Sequence, residues 1–182
     1  MYKYSMTQWI VGDEDIEQSF RRLKNCGYDG IEFAAEPYTL DAERLLALME
    51  KYGLSCTSLC GIFPEERDLT ASEPEAAEAA VKYVCDSVDL AVRVGAPLMI
   101  VVPSPVGRVA PPAGRSIEDI RACAVRNIRR AADYAHSRGV ILAIEAINRY
   151  ETYFANTLEK ALSLVEEIDH PAVKLMADLF HM

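Results

Sequence analysis

Strand-like and helix-like segments alternate along the whole chain, and a glycine closes most of the helical ones. Ile16, Phe20 and Leu23 recur at helical spacing before Gly27, and Leu45, Leu48 and Met49 share a face before Gly53. The longer helical segments, one starting at Ser72 and one covering 116–138, stop at Gly95 and Gly139. A further helix starts at Asn156 or Thr157 and ends near Ile168. Between these lie strands expected at residues 2–6, 29–34, 54–60, 97–102, 140–145 and 173–178. Residues 97–102, Pro-Leu-Met-Ile-Val-Val, carry no polar side chain, which suits a parallel strand covered on both faces. Strict alternation predicts an α/β fold with a parallel sheet and right-handed crossovers.

One such unit takes roughly 30 residues. The 182 residues therefore hold about six units, whereas a closed eight-unit barrel takes roughly 250 residues. An open doubly wound sheet could use all six strands. It usually carries a glycine-rich turn after the first strand, and Thr7-Gln8-Trp9 has no glycine. Within the helices, Ser72 and Glu75 have the spacing of a capping box.

Charge and cysteine content narrow the function classes. The net charge of −9 opposes binding to nucleic acid, which relies on Lys and Arg neutralising phosphates, and to anionic membranes. The longest apolar stretch, residues 96–103, is too short to span a bilayer. Met1-Tyr2-Lys3-Tyr4-Ser5 lacks the apolar core of a signal peptide. The five cysteines are odd in number and none has CxxC spacing. We expect free thiols, no zinc site and a cytoplasmic protein.

Parallel α/β folds bind ligands at the carboxyl ends of their strands. Glu32 lies late in the second strand, Glu145 ends the fifth, and Asp178 ends the sixth, with His181 three residues on. Glu151 follows in the loop after Glu145. Neighbouring strands lie about 4.8 Å apart, so Glu145 and Asp178 should face one small volume. Two converging carboxylates repel unless a cation lies between them or one is protonated. Glu65-Glu66-Arg67-Asp68 reads as a solvated loop, as do Arg108 and Arg115. His136 and His170 read as structural or solvated. Trp9, Tyr4 and Phe63 suit core packing better than stacking on a ligand.

Two stretches carry a family resemblance. Ile144-Glu145-Ala146-Ile147-Asn148-Arg149-Tyr150-Glu151, with Asn156-Thr157, resembles the fifth-strand motif of ketose 3-epimerases of the tagatose/psicose type. Val173-Lys174-Leu175-Met176-Ala177-Asp178-Leu179-Phe180-His181-Met182 resembles their sixth-strand motif, and Ile31-Glu32 their second-strand glutamate. The wider group is the xylose-isomerase-like TIM barrels, which also holds inosose dehydratases, hydroxypyruvate isomerases and endonuclease IV.

The resemblance implies a (β/α)8 TIM-barrel type fold, incomplete at about six units, with 1–182 as one C-terminally truncated domain. It implies a metal-dependent ketose epimerase or isomerase working by proton transfer through an enediolate. Glu145 would be catalyst and metal ligand, and Asp178 a metal ligand. Glu151, His181 and Glu32 would face the sugar. The metal would be manganese, with magnesium or cobalt as substitutes, since carboxylate-rich sites favour Mg²⁺ and Mn²⁺ over zinc or copper.

In that family further ligands and a second acid–base carboxylate come from strands seven and eight, so the metal site is expected to be incomplete here and the chain alone inactive. An inosose-dehydratase-like lyase and a non-catalytic, self-associating fragment are the alternatives. With only three histidines, an endonuclease-IV-like multi-metal site is disfavoured. Unpaired edges on the first and sixth strands, and barrel-interior positions among residues 140–144, are expected to be covered by a second copy or by a bound C-terminal remainder.

Overall fold

The computed structural model describes residues 3–182. Six strands form one parallel sheet: β1 (Ser5–Thr7), β2 (Gly30–Ala35), β3 (Ser55–Gly61), β4 (Leu98–Val101), β5 (Ile141–Glu145) and β6 (Val173–Met176). They fall within a few residues of the expected strands; Tyr2, where the first was expected to begin, lies outside the described residues.

Spatial order follows chain order, β1 through β6, and this separates the two candidate architectures. A doubly wound sheet reverses its strand order at a switch point. Here each strand pairs with its successor, so successive right-handed crossovers leave the helices on one side. The five helices are α1 (Ile16–Asn25), α2 (Ala42–Tyr52), α3 (Pro74–Val94), α4 (Ile117–Ser137) and α5 (Leu158–Ile168). Each packs against the next, α1 on α2 through α4 on α5. This is the strand-inside, helix-outside arrangement of a (β/α)8 barrel, with six units present.

Local chemistry sets the helix ends. The side chains of Asp15, Asp41, Ser116 and Thr157 accept bonds from the first-turn amides of α1, α2, α4 and α5, satisfying donors that a helix start leaves unpaired. Gly53 and Gly95 close α2 and α3 in the left-handed region. The capping box expected at Ser72 is absent. The N-cap of α3 is Glu73, with Pro74 in the first turn, and the Ser72 hydroxyl turns to the Glu73 carboxylate instead. A proline supplies the right φ and no N–H to satisfy, so this helix starts without a capping hydroxyl.

Alternation divides the strand side chains. Ile31, Phe33, Leu59, Met99, Val101, Leu142 and Ile144 are fully buried and join the cluster containing Phe20, Leu23, Val84, Val88, Ile128 and Leu164 of the helices. The intervening positions face the barrel interior. The expectation that residues 140–144 lie uncovered is overturned: Val140, Leu142, Ala143 and Ile144 are all buried. Leu142 and Ile144 point into the helical layer, and of this run only Ile141 is half-buried.

Candidate active site

All six strands run the same way, so their carboxyl ends form one rim. A cavity of about 770 Å³ opens there between Glu32, Cys60, Ile100, Val102, Glu145 and Met176, with Trp9, Phe63, Val106, Glu151, Asp178 and His181 closing it from the loops. Its lining includes four carboxylates and one histidine, but no lysine or arginine.

Two backbone features place these groups. A register shift between Ile31 and Glu32 sets Glu32 opposite Ser58, whose hydroxyl donates to its carboxylate at 2.5 Å. Gly61 ends β3 where a Cβ would come within 2.4 Å of the Phe63 ring and 2.5 Å of the Ile100 carbonyl. The missing side chain lets Phe63 fold back as a cavity wall, edge-on to Tyr83 at 5.5 Å.

Glu145 ends β5 with its side chain 8% exposed. Burial, followed by the charges of Asp178, Glu32 and Glu151, pushes its carboxyl up to about 7. Asp178 follows β6 and caps the closing turn: Phe180 N–H donates to its carboxylate at 2.8 Å, and His181 N–H to its carbonyl at 3.1 Å. That turn brings His181 back into the cavity. One donor atom each from Glu145, Asp178 and His181 lie within 4.8 Å of one another. The His181 Nε2 atom is 3.8 Å from Glu145 Oε1, and its Nδ1 is 3.9 Å from Glu151 Oε1. The structure thus brings together the five residues singled out in the sequence.

Other expectations are corrected. Asp68 is buried, and its carboxylate receives the Thr70 hydroxyl at 2.6 Å, the Thr70 amide at 2.8 Å and the Arg108 guanidinium at 2.7 Å. The adjacent Arg67 stacks on Tyr83, 3.9 Å from the ring centre, and pairs with Glu36. Arg115 donates to the Thr70 carbonyl at 2.7 Å. These loops are not simply solvated; they are tied to one another. Gly107 N–H donates to the Glu151 carbonyl at 2.7 Å, and Tyr153 N–H to the Arg108 carbonyl at 3.0 Å, so the β4–α4 loop holds the β5–α5 loop that carries Glu151. Locally, Asp68-Leu69-Thr70 is a pattern for side-chain bonding within a turn and Gly107 has a φ of 99° that suits glycine, but neither names a partner in another loop.

Trp9 lines the cavity and is more than half exposed, so it is not a core residue; Tyr4 is exposed and does not line the cavity. His136 and His170 pack edge-on against each other at 5.7 Å, and His170 faces Asp133. Cys60 lines the cavity as a free thiol, pushed up to about 12 chiefly by burial and then by the charge of Glu32. All five cysteines are free. No helix among the described residues is long and apolar enough to cross a membrane.

Comparison with known proteins agrees with this fold. The chain is 26% identical over 93% of its length to a ketose 3-epimerase of Arthrobacter globiformis. It is 30% identical over 86% of its length to an L-ribulose 3-epimerase of a Methylomonas species. It spans 58% and 54% of these relatives' own lengths. It superposes on the crystal structure of a D-allulose 3-epimerase from Methylomonas in complex with D-allulose with a TM-score of 0.88 at 26% identity, covering 99% of this chain and 64% of that one. The family model of the xylose isomerase-like TIM barrel matches residues 20–182, and the chain belongs to that family.

Proposed function

We propose that the protein is a sugar epimerase or isomerase acting on a ketose in the cytoplasm, with residues 1–182 forming one barrel-type domain. The observation that carries this reading is the placement of Glu145: a strand-end carboxylate with its side chain 8% exposed, lining one cavity with Asp178, Glu32 and Glu151, where burial first and then those charges raise its proton affinity. A general acid–base works best with a pKa near the operating pH. In this reading, Glu145 takes a proton from the carbon beside the ketone through a carboxylate oxygen. Glu151, His181 and Glu32 hold the sugar's hydroxyls. The apolar wall of Ile100, Val102, Phe63 and Trp9 excludes water from the reacting carbon.

The donor set suits a divalent cation. Four carboxylates around one cavity without a lysine or arginine form an oxygen-rich environment that suits a hard cation. Glu145 and Asp178 would hold the ion, with Mn²⁺ preferred and Mg²⁺ or Co²⁺ accepted. Bound there, it would supply positive charge to the carbonyl oxygen as negative charge builds on it. A second copy, or a bound C-terminal remainder, would cover the outer edges of β1 and β6.

The test is proton exchange. In D₂O with Mn²⁺, the protein with its barrel completed by the C-terminal remainder should wash deuterium into D-allulose at carbon 3, Glu145→Gln should abolish this, and residues 1–182 alone should exchange little. Exchange asks only for removal of the proton and its return on one face, so it does not depend on epimer release. Dehydration of inosose without ketose exchange would mark the lyase alternative. Neither reaction, with Mn²⁺ present and the protein folded, would overturn the proposal.

A further inference from the structure

Asn148, in the loop after β5, has no role in the reading above, yet it touches two of the residues facing the cavity. Three contacts fix the orientation of its amide. Tyr150 N–H donates to Asn148 Oδ1 at 3.0 Å, so the nitrogen lies on the other side. Asn148 Nδ2 donates to Glu151 Oε1 at 2.7 Å, and the same nitrogen lies 2.8 Å from His181 Nδ1. An amide NH₂ has two hydrogens and no lone pair to offer. Its second hydrogen therefore points at His181 Nδ1, which must accept.

A neutral imidazole that accepts at Nδ1 carries its proton on Nε2. A doubly protonated ring would set N–H against N–H at this contact. The Nε2 atom is 3.8 Å from Glu145 Oε1, beyond hydrogen-bond distance, and meets no other acceptor among the described residues. The backbone of His181 is fixed by its amide N–H bond to the Asp178 carbonyl, and the ring packs edge-on against Phe180 at 5.0 Å. A metal ion needs a ring lone pair, and here Nδ1 has spent its own on Asn148 while Nε2 has none.

We propose that Asn148 is a positioning residue that locks His181 in the Nε2–H tautomer, so that the ring donates a hydrogen bond to a sugar oxygen instead of serving as a third metal ligand. The inference deepens the ketose reading and rests on it for the identity of the acceptor. Asn148 also steadies Glu151, so one amide orders two sugar-facing side chains. The cation is then left to Glu145 and Asp178.

The experiment is ¹⁵N NMR of histidine-labelled protein near pH 8.5, above the ordinary histidine value of about 6.5, with His181 assigned by its loss in His181→Asn. The wild type should show Nε2 protonated and Nδ1 as a hydrogen-bonded acceptor. Asn148→Asp replaces the donor by an acceptor and should move the proton to Nδ1. Asn148→Ala should shift the Nδ1 resonance to that of a free acceptor while the helical circular dichroism is unchanged. Adding Mg²⁺ alone should leave the Nε2 proton in place. For D-allulose, both variants should raise KM about tenfold, a loss of about 1.4 kcal/mol, with a smaller change in kcat. An Nδ1–H tautomer in the wild type, an unchanged tautomer in Asn148→Asp, or loss of the Nε2 proton on adding Mg²⁺ would each overturn the proposal. If the wild type turns over no ketose, the functional reading fails while the tautomer measurements still decide the role of Asn148.

Discussion

Replacing Glu145 by glutamine should stabilise the protein at neutral pH and remove much of its dependence on pH. The carboxyl lies near 7 in the folded chain against 4.5 as its ordinary value. Between those values the native state binds more protons than the unfolded chain, so stability falls as pH rises through the window. Above about pH 7 the loss is complete. At about 1.4 kcal/mol per pH unit, the span corresponds to about 3 kcal/mol. The side chain is almost fully buried, so solvent screening takes little from this figure. Glutamine keeps the volume and never ionises.

Urea unfolding followed by helical circular dichroism reads the effect. At pH 5 the wild type and Glu145→Gln should differ by less than about 1 kcal/mol, whereas at pH 8 the variant should be ahead by about 3 kcal/mol. With a urea slope of about 2 kcal/mol per molar, that is a midpoint shift of roughly 1.5 M. Mn²⁺ at a hundred times its dissociation constant should return about 2.7 kcal/mol to the wild type at pH 8 and far less to the variant. Parallel stability curves for the two proteins between pH 5 and 8 would refute the reasoning, because the cost would then not lie in the Glu145 charge.

Three other outcomes follow from the same structure. Arg108→Ala removes the guanidinium from buried Asp68 and should cost about 2–3 kcal/mol in urea unfolding, with Asp68→Asn costing less. Gly61→Ala drives a Cβ against the Phe63 ring and the Ile100 carbonyl; we expect a loss of about 2–3 kcal/mol and weaker sugar binding by calorimetry. Cys60, held near 12, leaves about one thiolate in ten thousand at pH 8, so mass spectrometry after brief iodoacetamide treatment of the folded protein should find Cys60 unmodified and exposed Cys26 labelled.

What the sequence conveyed and what it hid divide along a physical line. Strand positions were legible because each is a short apolar run between helix stops, and Glu32, Glu145 and Asp178 stood out as charges ending such runs. Parallel strands then force those ends onto one rim, so their convergence needed no tertiary knowledge. The Asp68–Arg108 clamp was hidden because its partners are separated by 40 residues and its carboxylate stands in a charged run that looks solvated. Burial there comes from the third, fourth and fifth loops folding over one another, which no local pattern states. The start of α3 misled for the opposite reason: Ser72 and Glu75 have the right spacing, but Pro74 between them already fixes the first turn. Asn148 lay in plain view within the fifth-strand motif, yet its role depends on His181, 33 residues later.

The clamp also bears on why the cavity is so acidic. Arginines are not scarce around the rim, but the loops commit them elsewhere. Arg67 is shared between Glu36 and the Ile62 carbonyl, Arg108 between Glu65 and Asp68, and Arg115 between the Thr70 carbonyl and Cys123. Holding them in the loops leaves the negative potential of the rim uncancelled, at a stability cost carried largely by Glu145. Such a cost is recovered when a cation enters or when a proton is taken up. The proposed reading uses both events, a cation held by Glu145 and Asp178 and a proton taken up by Glu145, and the arginine pairings leave the site's charge available for either.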